Sequence, residues 1–231
     1  MKLNDRQQMI LNLLKQNGQV RVSLLAKDLF ASEMSIRRDL EYLENEGLLS
    51  RCHGGAIPIG NQLHYPIKYR TRIHAKEKKE LALRARPYLR DNMVLFFNSS
   101  STSAHLVPYL KEYKNISVIT NSMFLVSQLE PYHIPCTVTG GTYHEIEGCL
   151  TGGMTERYLS NVHPDLAILS CEGFTEDGIV TDSVESMASI ARIACENAKK
   201  ALFLMDGSKK GALYTYTVCK TDGERTVLIS V

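Results

Sequence analysis

An open, Rossmann-like α/β sheet domain preceded by a small winged helix-turn-helix is the fold that this chain of 231 residues predicts. Two patterns carry that expectation. From Met93 onward, short apolar segments closed by small polar residues alternate with helical segments, the pattern of a parallel sheet covered by helices. Before that, three apolar stripes at helical spacing run into a stretch that turns at Gly54-Gly55. The length fits both, because a module of about 57 residues leaves enough chain for a second sizeable core. The boundaries that follow are 1–57 for the winged module, 58–75 for a linker and 76–231 for the α/β domain.

The first helix spans Leu3 to Leu14, with Met9, Ile10, Leu13 and Leu14 on one stripe, Asp5 placed as N-cap and Asn17-Gly18 as its end. Val22, Leu25, Ala26 and Leu29 mark a second helix capped by Ser23, and Phe30-Ala31 is the tight link to the third. Ser32 is the N-cap of that third helix, with Ser35 ordering its first turn. Ile36, Leu40 and Leu43 bury one stripe, while Met34, Ser35, Arg37 and Arg38 project elsewhere. In helix-turn-helix proteins the N-terminal end of this helix enters the major groove, and arginine matches guanine edges and phosphates. Glu41, Glu44 and Glu46 fall on later turns, away from DNA, and Gly47 stops the helix. Leu48 to Ile57 then reads as a hairpin turning at Gly54-Gly55, with Arg51 and His53 available to phosphate. The expected contacts to double-stranded DNA are therefore Ser32, Met34, Ser35, Arg37, Arg38, Arg51 and His53. A plain helical domain with solvated arginines would not need the short turn, the basic helix start and the Gly-Gly hairpin together.

Formal net charge is only +2, so nucleic-acid binding does not follow from overall basicity. Its distribution is uneven: residues 64–90 carry nine Lys and Arg against two acids, whereas residues 91–231 carry ten against sixteen. This basic connector predicts a helix from His74 to Tyr88 that ends around Pro87. Two readings fit it: a solvated linker helix whose Leu81 and Ala85 pack on the second domain, or an arm whose Lys78 and Lys79 steer DNA phosphates. Six cysteines (Cys52, Cys136, Cys149, Cys171, Cys195 and Cys219) form no CxxC pair, and no signal peptide or long apolar span precedes them. The expectation is a reduced, cytoplasmic chain without metal, cofactor or membrane partner. Cys171 beside Glu172 reads as a buried structural thiol rather than a nucleophile.

The predicted strands are Met93 to Phe97, Ser117 to Thr120, Cys136 to Thr139, Leu166 to Leu169, Ala201 to Met205 and Thr226 to Ile229. Their following loops, NSSSTS, NS, GGT, SCEG and DGSKKG, hold the candidate chemistry, and in an open parallel sheet they gather on one edge. Asn98 to Ser103 precedes a helix expected near Thr102, so its hydroxyls and the helix N-terminus suit a phosphate. The glycines of Gly140-Gly141-Thr142 permit close backbone approach, and Lys209 supplies a point charge. The expected effector contacts are Ser99, Ser100, Ser101 and Lys209 for phosphate, with Asn98, Thr102, Asn121, Gly140, Gly141, Thr142 and Glu172 around the rest of a polyhydroxylated ligand.

SEMSIRRDLEYLENEGLLSRCHGGAI at the front, TNS at Thr120 to Ser122, TGGT at Thr139 to Thr142 and DGSKKG at Asp206 to Gly211 carry a resemblance over nearly the whole chain: it resembles a DeoR-type bacterial transcriptional repressor. The family's effector domain is similar to ribose-phosphate isomerases and to the activating domains of CoA transferases. The resemblance implies a sugar-phosphate sensor that keeps an isomerase fold without turnover and a homo-oligomer, dimer or tetramer, that presents paired winged modules to operator half-sites. Some residues depart from the family. Asn98 stands where an aspartate is usual before a Ser-Gly-Thr-Thr-like loop, Glu172 replaces a commoner aspartate, and the lysine often found near Ser189 is missing although Glu185 retains a frequent acidic position. Two other functions compete: a sugar-phosphate isomerase with a DNA-binding appendage, for which Glu172 and Glu185 are the candidate bases, and an effector-independent DNA-binding protein whose α/β domain only oligomerises.

Overall fold

The computed structural model describes residues 3–17, 19–46, 48–58, 67–71 and 73–231, and the chain divides into two compact units, residues 1–65 and 66–231. Among the described residues no helix is long and apolar enough to cross a membrane.

The first unit contains α1 (Asp5–Asn17), β1 (Val20–Arg21), α2 (Val22–Asp28), α3 (Glu33–Asn45), β2 (Ser50–Cys52) and β3 (Gly55–Ile57). Ile10, Leu14, Leu25, Ile36, Leu40 and Leu43 converge in its core, each almost fully buried, a contribution of about 1.5–3 kcal/mol per side chain. Ser32 caps α3 as expected, its Oγ accepting from Ser35 N at 3.2 Å. Two other caps differ from the sequence reading. Asn4, not Asp5, opens α1: its Oδ1 accepts from Gln7 N at 2.8 Å while Gln7 Oε1 accepts from Asn4 N at 3.1 Å, a reciprocal pair that leaves Asp5 inside the first turn. Ser23 lies inside α2, which follows extended Arg21 with no side-chain cap, because Val22 N donates instead to Gly54 O in the hairpin at 2.8 Å. Gly47 and Gly18 lie outside the described residues.

The hairpin of β2 and β3 is joined by β1 into a three-stranded antiparallel sheet in the order β1-β3-β2. Two residues are too few to announce β1 by alternation. A Cβ on Gly55 would lie 1.9 Å from the Val20 carbonyl oxygen, so the glycine is what lets the third strand close.

In the second unit, α4 (Ile67–Arg70) and α5 (Ala75–Ala85) lead into β4 (Val94–Phe97), α6 (Val107–Leu110), β5 (Ser117–Thr120), α7 (Met123–Leu129) and β6 (Cys136–Val138). A hairpin, β7 (Thr142–His144) and β8 (Cys149–Thr151), precedes α8 (Gly153–Leu159) and β9 (Leu166–Leu169). The remainder is β10 (Gly173–Phe174), β11 (Ile179–Asp182), α9 (Glu185–Asn197), β12 (Lys200–Met205), β13 (Tyr216–Lys220) and β14 (Thr226–Ser230). Six strands form one wholly parallel sheet in the order β14-β12-β9-β4-β5-β6. These are the six strands read from the sequence, with ends shifted by at most one residue. Alternation splits the core as a sheet demands: Leu95, Phe97, Ile168, Leu202 and Leu204 pack with Leu81 and Ala85 of α5, whereas Phe96, Ala167, Leu169, Phe203 and Met205 pack with Ala188 and Ala191 of α9.

Two parts of the unit differ from expectation. A second antiparallel sheet, β10-β11-β13, and the β7–β8 hairpin were not predicted: β10 has two residues, and Thr142 to His144 is exposed throughout, so neither shows a buried alternation. The helix expected from Thr102 is a 3-10 turn over Ser103–Leu106 running into the single turn of α6, where Pro108 removes an N–H.

In the tight link between α2 and α3, Phe30 adopts φ +50° and is 98% exposed. A bulky residue gains nothing there that offsets the left-handed conformation. Phe30→Gly is expected to stabilise the first unit by about 0.5–1 kcal/mol after the extra freedom of glycine in the unfolded chain, read as a higher midpoint in denaturant titration; a lower midpoint would show that the ring is held by a contact.

Candidate functional site

The start of α3 presents Met34, Arg37 and Arg38 to solvent, with Ser35 half-buried beside them. Behind this face Asp39 is buried and accepts from Arg6 Nε and from Gln7 Nε2, at 3.2 Å for the latter, so α3 is keyed to α1 by a paired carboxylate rather than by apolar contact alone. Arg37 pairs with Glu33 one turn earlier at 3.1 Å, both more than half exposed, an interaction worth little that DNA phosphate could replace. Arg38 makes no ion pair among the described residues. Ser32 Oγ lies 2.9 Å from Ser35 Oγ, so both hydroxyls serve the first turn. His53 is exposed at the tip of the β2–β3 turn. Glu44 does not point away as an idle acid: its carboxylate grips Arg51, accepting from the backbone N and from Nε at 2.9 Å each, and so fixes the wing to α3.

In the second unit, strand order reverses between β4 and β9, whose chains continue away on opposite sides. Beyond the carboxyl ends of such a pair an open sheet leaves a crevice. Asn98, next after β4, bridges it: its Nδ2 donates to Ser170 O at 2.8 Å and its Oδ1 accepts from Ser170 N at 3.1 Å. Asn98 is thus a clamp across the switch point, a role an amide can fill and a carboxylate could not, because one of the two bonds needs a donor.

The serines divide the remaining work. Ser100 Oγ accepts from Thr102 N and Ser103 N at 3.0 and 3.2 Å, so these N–H groups are already satisfied. With so short a helix behind them, the dipole expected at this loop adds little. The positive charge comes from elsewhere. Lys78, on α5, is 1% exposed; its Nζ donates to Ser101 Oγ at 3.1 Å and to Arg70 O at 2.6 Å. Lys209 Nζ reaches the same crevice from the far side, donating to Ser170 Oγ at 2.7 Å with Asp206 Oδ2 at 4.0 Å. Burial first, then the charges of Lys209 and Arg70, bring the Lys78 ammonium down to about 7, and burial also lowers Lys209. Ser99 Oγ donates to Glu147 O at 2.7 Å, and Arg70 pairs with the Glu147 carboxylate.

The opposite wall is acidic. Glu172 Oε2 accepts from Ser183 N at 3.0 Å, and the neighbouring Asp182 is pushed up to about 7, chiefly by burial and then by Glu172. Among the described residues, Thr102 Oγ1, Asn121 Oδ1, Asp206 Oδ2 and Arg70 Nε are buried without a hydrogen-bond partner. The Asn121 amide is otherwise held, donating to Leu150 O at 2.9 Å. Gly140 and Gly141 take a different part: a Cβ on Gly141 would meet Thr151 O at 2.5 Å, and Thr155 Oγ1 donates to Gly140 O at 2.6 Å. These glycines seat the β7–β8 hairpin on α8. Thr142 is exposed, and among the described residues no hydrogen bond joins the three to Lys78 or Lys209. Cys171 is buried with its thiol pushed well up by burial, which suits packing and not nucleophilic attack.

Lys78 is therefore not the exposed DNA-steering residue that one reading of the connector proposed; it is buried against the serine loop. One signal in the sequence points there. Lys78 falls three residues before Leu81 and seven before Ala85, on the stripe that packs on the sheet, whereas Lys79 is exposed.

Residues 73–230 match the DeoR C terminal sensor domain, and residues 6–62 match the DeoR-like helix-turn-helix domain. The chain is 34% identical over 212 residues to the L-fucose operon activator of Haemophilus influenzae, covering 90% of this chain and 84% of that protein. It is 31% identical over 215 residues to the lactose phosphotransferase system repressor of Lactococcus lactis, covering 90% and 84%. Among solved structures, ribose 5-phosphate isomerase A from Methanocaldococcus jannaschii superposes with a TM-score of 0.43 at 19% identity, covering 64% of this chain and 56% of its own.

Because Lys78 is charged in the unfolded chain up to its ordinary 10.5 but only to about 7 when folded, the folded state binds fewer protons between those values. Stability from this group is then lowest below pH 7 and rises as pH increases through that window. Asp206 and Glu77 favour the charged form, whereas Lys209 and Arg70 oppose it. Lys78→Met is expected to raise the melting temperature at pH 6, by roughly 2–4 °C per kcal/mol recovered, with the gain shrinking by pH 9 in calorimetry; a lower melting temperature at pH 6 would mean that the two bonds of the ammonium outweigh its burial.

Proposed function

Since the chain belongs to the DeoR family of helix-turn-helix transcriptional regulators, we propose that it is a cytoplasmic repressor of carbohydrate genes, a homo-oligomer whose operator binding is set by a phosphorylated sugar. The observation that carries the proposal is buried Lys78 and half-buried Lys209 reaching the β4–β9 switch point from two sides, with the Ser101 hydroxyl and the Arg70 main-chain oxygen as the direct partners of Lys78 and the Ser170 hydroxyl as that of Lys209. A buried ammonium without a carboxylate in contact is costly, and a phosphate entering beside Ser101 supplies the missing charge with oxygen acceptors for both lysines. Asn121 Oδ1 and Thr102 Oγ1 are left for hydroxyls, and Glu172 with Asp182 lines the opposite wall.

In the DNA-binding unit, Arg38 and Arg37 read base edges or phosphates from the start of α3, with Met34 and Ser35 beside them, Ser32 ordering the helix start, and Arg51 and His53 touching the backbone from the wing. The chain senses rather than turns over its ligand: its relatives are transcriptional regulators by name, and Glu172 is held by the Ser183 amide instead of standing free as a base. A ligand that binds one arrangement of the oligomer tenfold better than the other biases operator occupancy by about 1.4 kcal/mol.

Two experiments test this reading. In a thermal-shift panel of hexose and pentose phosphates, at least one is expected to raise the melting temperature of the full chain, and Lys78→Met or Lys209→Met is expected to abolish that shift while operator affinity without ligand is retained; a panel without any response would exclude the sensor reading. Arg38→Ala is expected to weaken operator binding by about 1–3 kcal/mol in fluorescence anisotropy, whereas unchanged affinity would remove α3 from the groove. The sign of the ligand's effect on that affinity separates repression relieved by sugar from activation by it.

A further inference from the structure

The buried ends of Arg70 raise a question that the lysines do not answer. Arg70 closes α4, in the segment that follows directly on residues 59–66 from the DNA-binding unit, and its side chain is only 14% exposed. Its Nη2 is paired with Glu147, yet its Nε is buried and has no hydrogen-bond partner among the described residues. A buried guanidinium N–H without an acceptor costs free energy unless something fills it. Its carbonyl accepts from Lys78, and its charge acts on both Lys78 and Lys209. Three basic side chains therefore influence one another here, Lys78 in contact with Ser101 of the serine loop and Lys209 with Ser170 across the switch point, and Glu147 is the single carboxylate in direct contact with Arg70 among the described residues.

Glu147 sits at the tip of the β7–β8 hairpin, which touches both the loop after β4 and α4. Its carbonyl accepts from Ser99 in the anion loop. The Ile146 carbonyl accepts from Ile67 N at 3.0 Å, and a Cβ on Gly148 would lie 3.1 Å from Ile67 Cγ2, so the tip is packed on α4.

We propose that Arg70 is a third phosphate-binding residue held in reserve by Glu147, and that an anion entering beside Ser99 and Ser101 exchanges with the Glu147 carboxylate for the guanidinium. The proposal rests on the phosphate reading of the lysine pair. An arginine fork accepts a phosphate through two N–H groups, which would give the orphan Nε its acceptor. Occupancy then changes the partner of a residue in the segment that runs to the DNA-binding unit, so ligand binding is felt in the connector and not only in the crevice.

The test is a double-mutant cycle on the full chain, with inorganic phosphate as probe and dissociation constants from calorimetric titration. Glu147→Gln is expected to tighten phosphate binding roughly three- to tenfold by freeing the guanidinium, and Arg70→Gln to weaken it by a similar factor. In the Arg70→Gln background the gain from Glu147→Gln is expected to disappear. If the gain persists there, Glu147 acts only by repelling the anion and the exchange is wrong. If neither variant changes the affinity while Lys78→Met abolishes binding, the Arg70–Glu147 pair is structural and the lysine site stands without it. Phosphate that fails to bind the wild-type chain would overturn both.

Discussion

The ammonium of Lys78 is the constraint around which the C-terminal unit is arranged. It sits where α5, the loop after β4 and the carbonyl of Arg70 meet, with Ser101 and that carbonyl as its direct acceptors. Burial of a charge on such terms is unfavourable unless the group neutralises or finds a counter-ion. The surroundings are tuned between these outcomes: Lys209 and Arg70 press Lys78 toward its neutral form while Asp206 and Glu77 support the charge. A site balanced in this way responds to an arriving anion more strongly than one in which a carboxylate already occupies the ammonium.

The sheet explains why such a group can be tolerated. All six strands run parallel and their order reverses at β4 and β9, so the crevice at their carboxyl ends is a consequence of topology rather than of any one side chain. Asn98 holds its two sides together through Ser170, and the Ser100 hydroxyl closes the turn that follows. With those backbone positions fixed, Ser101, Lys78 and Lys209 are presented from three separate elements. Preorganisation of this kind spares a ligand the cost of ordering the site when it binds. The same logic governs the first unit, where buried Asp39 fixes α3 against α1 and Glu44 fixes the wing to α3, leaving Arg37 and Arg38 at the surface.

Much of this was legible in the chain. The parallel strands showed themselves as apolar runs because both faces are buried, as Leu95, Phe96 and Phe97 illustrate, and the recognition helix did so through Ser32 and its Ile36-Leu40-Leu43 stripe. Less was legible where tertiary contacts overrule local pattern. Ser23 is a good cap in isolation but loses to the Gly54 carbonyl, which lies thirty-one residues away in sequence. The NSSSTS loop suggests phosphate by composition, yet Ser100 and Asn98 are consumed in holding the loop, and the lysine in contact with it belongs to a segment whose basicity suggests DNA. Composition identifies a basic connector; only the helical phase relative to Leu81 and Ala85 separates a buried lysine from the exposed ones around it. Asp182 was missed because its closeness to Glu172 depends on the antiparallel pairing of β11, which no local signal announces.

The proposed coupling of charge and ligand at Lys78 can be tested directly. In the full chain, the Lys78 side-chain nitrogen and its adjacent methylene, followed by NMR as pH is varied, are expected to titrate near 7 without ligand and at higher pH once inorganic phosphate is added, because an opposing charge favours the protonated form. A Lys78 that titrates in the ordinary lysine range, or one whose titration phosphate leaves unmoved, would contradict the assignment of this buried ammonium as the anion receptor of the protein.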